Sequence, residues 1–329
     1  MQKAIDRLNQ LLEKKNQFSA DSVLINGKAV LIDKEKFMPI SSLTADAPNK
    51  IVSFVDGGNA ELFNSGDICL QFVRATAVFF QNNKRLNNEK KISFFLLSQI
   101  NEENPEEYLS QFFWEEGSLP LKEFSLNALD FSLREGVERG NIIKAGELAR
   151  RKAELLLAKE VSSEADWAVL DGTLEEKMPG EKEIIGSLPS NVCALAKSCS
   201  LITSKGRSAT DYVSLVGPKN SSWSYFLDQE RKRKTFFVRL NEKNNHVFRF
   251  ETFSKNNEVF GALATNSTDP VFVGYPYGLI YVDQRARVSN QEAGLMKTKL
   301  FSLMKKGNRG LNLEKLNNAA HEMLDHLRF

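Results

Sequence analysis

The sequence predicts an α/β fold, a mixed sheet flanked by helices, and three observations carry that prediction. Apolar runs of strand character recur at residues 51–55, 68–80, 92–97, 166–171 and 192–196. A helical pattern over 142–161 leads directly into the short run 166–171, the layout of a helix that crosses back to a parallel strand. Finally, the runs 51–56, 166–171 and 277–283 each stop at an aspartate, Asp56, Asp171 and Asp283. As central strands, all three bring carboxylates to one edge of the sheet. Carboxylates within about 4 Å repel by roughly 4 kcal/mol at an effective dielectric near 20, so such a cluster needs a cation or a shared proton. A Mg²⁺ or Mn²⁺ site for phosphoryl chemistry is the first functional expectation.

In chain order, residues 1–18 alternate charge with Ile5, Leu8, Leu11 and Leu12, an amphipathic helix and not a signal core. Pro48 marks the approach to the strand at 51–55, which the Asp56-Gly57-Gly58 turn is expected to end. The run 68–80 reads as one long strand. The polar, basic connection 82–91 returns it to 92–97 as an antiparallel hairpin. Residues 101–140, punctuated by Pro105 and Pro120, are expected to hold two or more helices. The helix at 142–161 and strand at 166–171 follow, then a helix near 182–188, a strand at 192–196 and a looser segment through Trp223. Strands at 236–240 and 247–250 pair around the turn 241–245, and residues 270–282 return to sheet. Helices at 291–304 and 313–327 close the chain, which contains no internal repeat.

Composition bounds the class. A chain of 329 residues with 42% hydrophobic and 10% aromatic content has ample material for a buried core. Forty-four Lys and Arg against 42 Asp and Glu leave a formal charge of +2, so anion binding must come from local clusters. Cys69, Cys193 and Cys199 form neither a C-x-x-C pair nor a disulfide framework, which points to a reducing cytoplasm. No run approaches the ~20 apolar residues of a membrane span.

Each acidic candidate also has an ordinary reading: Asp-Gly after a strand is a common turn signal, and Asp283 before Arg285 and Arg287 can be a simple cap. The coincidence of three makes the metal reading the sharper one. A fourth carboxylate lies on the helix before Asp171, where Glu147, Arg151, Glu154 and Ala158 share a face. Glu147 and Glu154 sit about 10.5 Å apart along the axis, so only one can join the same ion. The ordinary reading of Arg150, Arg151 and Glu154 is a solvated ion-pair face.

Together these residues reach a resemblance. Val55-Asp-Gly-Gly58, Arg150-Arg-Lys-Ala-Glu154, Leu170-Asp-Gly-Thr-Leu174, Ala196-Lys-Ser198 and Gly274-Tyr-Pro-Tyr-Gly-Leu-Ile280 with Asp283 resemble the NurA nuclease family, in order across nearly the whole chain. The resemblance implies one nuclease domain over 1–329, with an N-terminal helix at 1–18. Its RNase H-like mixed sheet, approximately 50–200, is completed by 235–329 with C-terminal additions. It implies Mn²⁺ or Mg²⁺, as two ions, bound by Asp56, Glu154 and Asp171, with Glu147 as the fallback for the helical ligand. Tyr275 falls on the family's active-site tyrosine. Asp283 stands where some members have a metal-binding histidine, a departure that keeps an oxygen donor suited to either ion. Lys197 lies in a stretch similar to the family's Gly-x-x-Lys, although Ala194 replaces the glycine, and the second proline common before Gly278 is missing. The implied activity is metal-assisted hydrolysis of DNA phosphodiesters in end resection and double-strand break repair, exonucleolytic and in part endonucleolytic on single strands. The implied assembly is a homodimer docked on a HerA-type hexameric ATPase.

Lys205-Gly-Arg207, Arg231-Lys-Arg-Lys234 and Lys305-Lys-Gly-Asn-Arg309 are local basic clusters suited to phosphate contacts, although short charge runs also serve solubility. His246, His321 and His326 have no metal-ligand spacing. Two other readings compete. An actin-like, ATP-binding fold needs a second glycine-rich phosphate loop, and Gly57-Gly58 is the only Gly-Gly pair in the sequence. A catalytically inactive RNase H-like DNA clamp or ATPase adaptor has no need of clustered carboxylates.

Overall fold

The computed structural model describes residues 1–15, 21–45, 47–134, 138–270 and 272–307. Helix α1 (Gln2–Lys15) precedes a small hairpin, β1 (Ser22–Ile25) and β2 (Lys28–Leu31), and the short strand β3 (Phe37–Pro39). Three long antiparallel strands follow, β4 (Ile51–Asn64), β5 (Ile68–Gln81) and β6 (Lys84–Ile100), then β7 (Glu107–Glu116) and β8 (Phe124–Asn127). Helix α2 (Lys144–Val161) leads into β9 (Trp167–Asp171), then α3 (Glu181–Gly186) and β10 (Val192–Ala196). Helix α4 (Ala209–Val216) and the strands β11 (Trp223–Glu230), β12 (Arg233–Arg239) and β13 (Phe248–Thr252) complete the sheet. Helices α5 (Val259–Asn266), α6 (Tyr277–Ala286) and α7 (Asn290–Gly307) end the described chain.

The sheet has eleven strands in the order β3-β11-β12-β13-β10-β9-β4-β5-β6-β7-β8. Only its centre is parallel, where β9 lies between β4 and β10, as a helix crossover from β4 through α2 requires. Because side chains alternate across a strand, one face of this centre presents Val55, Leu170 and Ala194 to Leu148 and Leu155 of α2. The other presents Phe54, Val169 and Leu195 to Phe260 of α5 and to Leu279 and Val282 of α6. The predicted mixed sheet flanked by helices is therefore present.

Five local expectations are overturned, the first being the connection 82–91: β6 begins at Lys84, so only Asn82 and Asn83 separate it from β5. The strand at 51–55 does not turn at Asp56-Gly57-Gly58; β4 runs on to Asn64, pairing Asp56 with Thr76 and Gly57 with Ala75. Glycine within a strand marks a close approach, and here both faces are approached. A Cβ at Gly57 lies 2.6 Å from Glu154 Oε1 of α2, and one at Gly58 lies 2.6 Å from the Ala286 carbonyl oxygen of α6. Residues 277–283 form the helix α6 and not a strand. Pro276 precedes its first turn, the Gly278 amide donates to Asn266 Oδ1 at 2.7 Å, and Gly278, Leu279, Val282 and Ala286 are buried at helical spacing. Six residues without a charge before Asp283 suit either element, and the period decides.

Residues 107–127 contain β7 and β8 where helices were expected. Phe112 and Trp114, two apart on one face of β7, pack against Phe94 at ring-centroid distances of 5.1 and 4.9 Å, the cross-strand contact that favours sheet. The loose segment before Trp223 holds α4, capped by the Ser208 hydroxyl accepting from the Asp211 amide, and β11 begins at Trp223 itself. The expected helix at 313–327 lies outside the described residues. Among the described residues no helix is long and apolar enough to cross a membrane.

Gly58→Ala must push α6 away from β4, because the new methyl meets backbone. A loss of about 1–3 kcal/mol, typical of overpacking, is expected in urea unfolding. Gly186→Ala, with nothing within 4 Å of its Cβ, serves as the control. Equal stability of the two variants contradicts this packing.

Candidate metal centre

Asp56 sits within β4 and Asp171 at the end of β9, both on the sheet face that α6 covers, since they alternate with Val55 and Leu170 on the opposite face. Asp283 comes down from the second turn of α6. One carboxylate oxygen from each of the three lies within 4.8 Å of the other two, and all three side chains are partly accessible. The strands and a helix thus deliver what three strand ends were expected to deliver.

Lys197, the first residue after β10, points its ammonium into the cluster, 2.5 Å from Asp171 Oδ2 and 3.5 Å from Asp283 Oδ1. The same ammonium lies 5.8 Å from the centroid of Tyr275. Tyr275, 3% exposed, donates its hydroxyl toward Asp171 Oδ1 at 3.5 Å. The structure therefore gathers Asp56, Asp171, Asp283, Lys197 and Tyr275 at one place.

Glu154 arrives from the other face. It is buried, 5% exposed, against Gly57, with Arg150 Nε and Arg151 Nη1 each 3.7 Å from its oxygens. It is not one of the three clustered carboxylates, but its charge acts on Asp56. Glu147 pairs with Lys144 at 3.1 Å in the first turn of α2. The Arg151–Glu154 pair is not the solvated face of the ordinary reading, since Arg151 is only 12% exposed.

A second group of residues, of which the sequence analysis singled out only Arg151, holds the loop that leaves Asp171. Arg151 donates to the Thr173 carbonyl, Glu251 accepts from the Leu174 amide at 2.5 Å, and Arg249 pairs with both Glu251 and Glu175. Arg249 and Glu251 are buried on β13, on the face shared with Ala194 and Ala196 of β10. Charges two apart in an otherwise apolar strand, Phe248-Arg-Phe-Glu251, were the available clue.

The electrostatics follow from burial. Burial, then the charges of Glu154 and Asp171, push the Asp56 carboxyl up to about 8, against the hydrogen bond it accepts from the Gly57 amide at 2.8 Å. Burial raises Asp171 as well, opposed by Lys197, and raises Glu154, opposed by Arg150 and Arg151. Burial works against the Lys197 charge, yet its bond to Asp171 and the nearby carboxylates hold its pKa above the ordinary value. Burial and the adjacent Asp171 raise Tyr275 far enough to keep it protonated. Three carboxylates against one ammonium leave two uncompensated charges when all are ionised. An all-oxygen donor set of this kind fits Mg²⁺ or Mn²⁺.

A family model described as the NurA domain matches residues 195–288, a span that holds Lys197, Tyr275 and Asp283. The crystal structure of the NurA nuclease from Sulfolobus solfataricus is similar at a TM-score of 0.54 and 15% identity, over 94% of this chain and 99% of that one. The chain therefore carries a NurA domain match over 195–288 and shares its overall fold with that nuclease. Its sheet and flanking helices are the RNase H-like arrangement of that fold. Two endonuclease V structures are also similar, with lower scores. The catalytic domain of the human protein has a TM-score of 0.37 and 9% identity, over 74% of this chain and 85% of that one. The Bacillus subtilis protein has a TM-score of 0.35 and 11% identity, over 84% and 89%. No curated protein matches the chain.

The raised Asp56 pKa has a definite sign. Between its unfolded value of 3.8 and its folded value of about 8 the native state holds the extra proton, so the stability of the metal-free protein falls as pH rises through that window. Thermal melts in chelator are expected to show this fall, and Asp56→Asn to flatten it. Added Mn²⁺ should stabilise progressively more toward pH 8, where the competing proton has left. A melting temperature independent of Asp56 across this range contradicts the assignment.

Proposed function

We propose that the chain is a metal-dependent deoxyribonuclease that hydrolyses phosphodiester bonds. The observation that carries the proposal is the convergence of Asp56, Asp171 and Asp283 on one point beside Lys197 and Tyr275. The NurA domain match over 195–288 and the fold shared with the Sulfolobus nuclease support that reaction class. The three aspartates hold the cations, and Glu154, behind Gly57, completes the negative field from the opposite face. When bound, the divalent ions supply an activated water and neutralise charge on the leaving oxygen, as in two-ion phosphoryl sites.

The chain's own groups set the geometry around that chemistry. Lys197 neutralises a phosphate oxygen, for which its ammonium is already placed at the cluster. The protonated Tyr275 hydroxyl orients Asp171 or a phosphate oxygen, and its ring shields the carboxylates from bulk water. Arg151, Glu251 and Arg249 fix the loop after β9, and so the direction of the Asp171 carboxylate. We further propose that the whole chain acts as one nuclease domain in the cytoplasm, as a homodimer with a HerA-type hexameric ATPase in DNA end resection.

Asp56→Ala and Asp171→Ala are each expected to remove Mn²⁺-dependent cleavage of end-labelled single-stranded DNA, by more than the roughly 10–100-fold cost of losing a partner that merely supports a metal ligand. Circular dichroism checks that the fold is kept. Full activity in either variant sinks the proposed site, and inactivity of the unaltered protein at every Mg²⁺ and Mn²⁺ concentration, with and without the ATPase, favours the clamp reading. Glu154→Gln is expected to lose activity where Glu147→Gln retains it; the reverse result reassigns the helical carboxylate.

A further inference from the structure

We propose that the groove between the loop after β9, helix α3 and the β11–β12 hairpin binds a single-stranded stretch of the nucleic acid on which the carboxylate cluster acts. This rests on the nuclease reading above and adds to it a place for the substrate strand. The groove encloses about 770 Å³, within the roughly 300–1,000 Å³ of typical ligand pockets.

Its rim is a surplus of positive charge. Lys177 and Lys182 rise from the α3 side, and Arg231 and Lys232 form the hairpin tip, where Arg231 turns the chain at a φ of 54°. All four are exposed, and none has a carboxylate partner among the described residues. The acidic residues on the same walls are largely spoken for. Glu175 pairs with Arg249 and lies 3.8 Å from Arg233, and Glu230 pairs with Arg233 at 2.6 Å. Only Glu176 is left to offset the four cations. Closely spaced ammonium and guanidinium groups held apart from carboxylates are what a phosphate backbone requires.

The floor is apolar, formed by Leu174, Ile185, Leu188 and Phe253. Phe253 is half-buried, packs against the α2-side core and pairs with no other aromatic ring among the described residues, so its exposed part is the surface a base would meet. Cations along a rim and an aromatic face beneath them are the two components of single-strand recognition, and a base reaches such a floor only when unpaired. A paired duplex presents its backbone instead, which the rim alone serves.

The groove floor lies on the α2 side of the sheet and the carboxylate cluster on the α6 side, and the chain that leaves β9 joins them around the strand end. Leu174 lies three residues beyond Asp171, a span of at most about 10 Å of extended chain. That connection is pinned through the Thr173 carbonyl, the Leu174 amide and the Glu175 carboxylate. A strand seated here therefore keeps a fixed offset from the point where its phosphate meets Asp171 and Lys197.

The test is fluorescence anisotropy with a fluorescein-labelled oligo(dT) in Ca²⁺, with full-length protein and the salt concentration varied. Lys182→Ala/Lys232→Ala is expected to weaken binding about tenfold and to reduce the slope of log K against log salt by about 0.7 per lysine. Phe253→Ala should weaken it at least about fivefold with no change in that slope, since stacking releases no counterions. Lys122→Ala, at the opposite end of the sheet before β8, should bind as the unaltered protein does. If the groove variants bind and respond to salt like the unaltered protein while that protein cleaves DNA, the groove is wrong and the nuclease reading stands. If the unaltered protein neither binds nor cleaves DNA, the nuclease reading falls and the groove with it. Melting temperatures equal to the unaltered protein's tie any loss of binding to the altered side chains, and a Phe253→Ala variant that melts early leaves the lysine pair to decide.

Discussion

The site depends on how closely helix α6 can lie on strand β4. A Cβ at Gly278 would fall 2.1 Å from the Phe54 ring, and one at Gly58 would fall 2.6 Å from the Ala286 carbonyl oxygen, so glycine is required at both ends of the contact. Protein interiors are packed too densely for either clash to be absorbed without displacing the helix. That approach lets Asp283, carried by a helix, share one point with Asp56 and Asp171, carried by strands. It also seats Tyr275, just before α6, against Asp171. Asn266 anchors the start of the helix through the Gly278 amide and is itself held by donating to Asn83 Oδ1 at 2.9 Å.

The opposite face of the same strand is approached as closely. Gly57 leaves room for Glu154, and Arg150 donates to the Gly57 carbonyl at 3.2 Å, so α2 grips β4 through polar groups directly behind Asp56. The buried ions of Arg151, Glu154, Arg249 and Glu251 add little net stability by themselves, because desolvation offsets much of their attraction. Their effect is positional. Arg151 and Glu251 bond the Thr173 carbonyl and the Leu174 amide of the loop that leaves Asp171. The like charges gathered at the centre are then balanced in one of three ways: the Lys197 ammonium, a proton on Asp56, or a cation. A divalent ion would balance both uncompensated charges of this partly dry site, where a proton on Asp56 balances one.

The sheet's centre was legible because its signals were local. The run at 192–196 is β10 residue for residue, and β9 and α2 begin within a few residues of where apolar period and the helix-to-strand sequence place them. The three aspartates of the cluster were legible too, as the acidic ends of apolar runs, although only Asp171 ends a strand. What the sequence obscured were cases in which tertiary contact overrides local chemistry. Asp56-Gly57-Gly58 reads as a turn, yet its glycines serve two helices that are distant in sequence. The run at 277–283 is short enough for a strand, and only its seating on Phe54 gives it the helical period. Residues 107–116 are polar and aromatic in a mixture that becomes a strand because Phe94 supplies the partner surface. Arg249 and Glu251 carry no local motif, and their role appears only when β13 lies beside β10.

The most direct test of the central claim is anomalous diffraction at the manganese edge from crystals grown with Mn²⁺. The account predicts a peak bounded by Asp56, Asp171 and Asp283, about 2.1 Å from their carboxylate oxygens, with the Lys197 ammonium drawn away from Asp171. A saturated crystal with no peak there, and Lys197 still paired to Asp171, contradicts it.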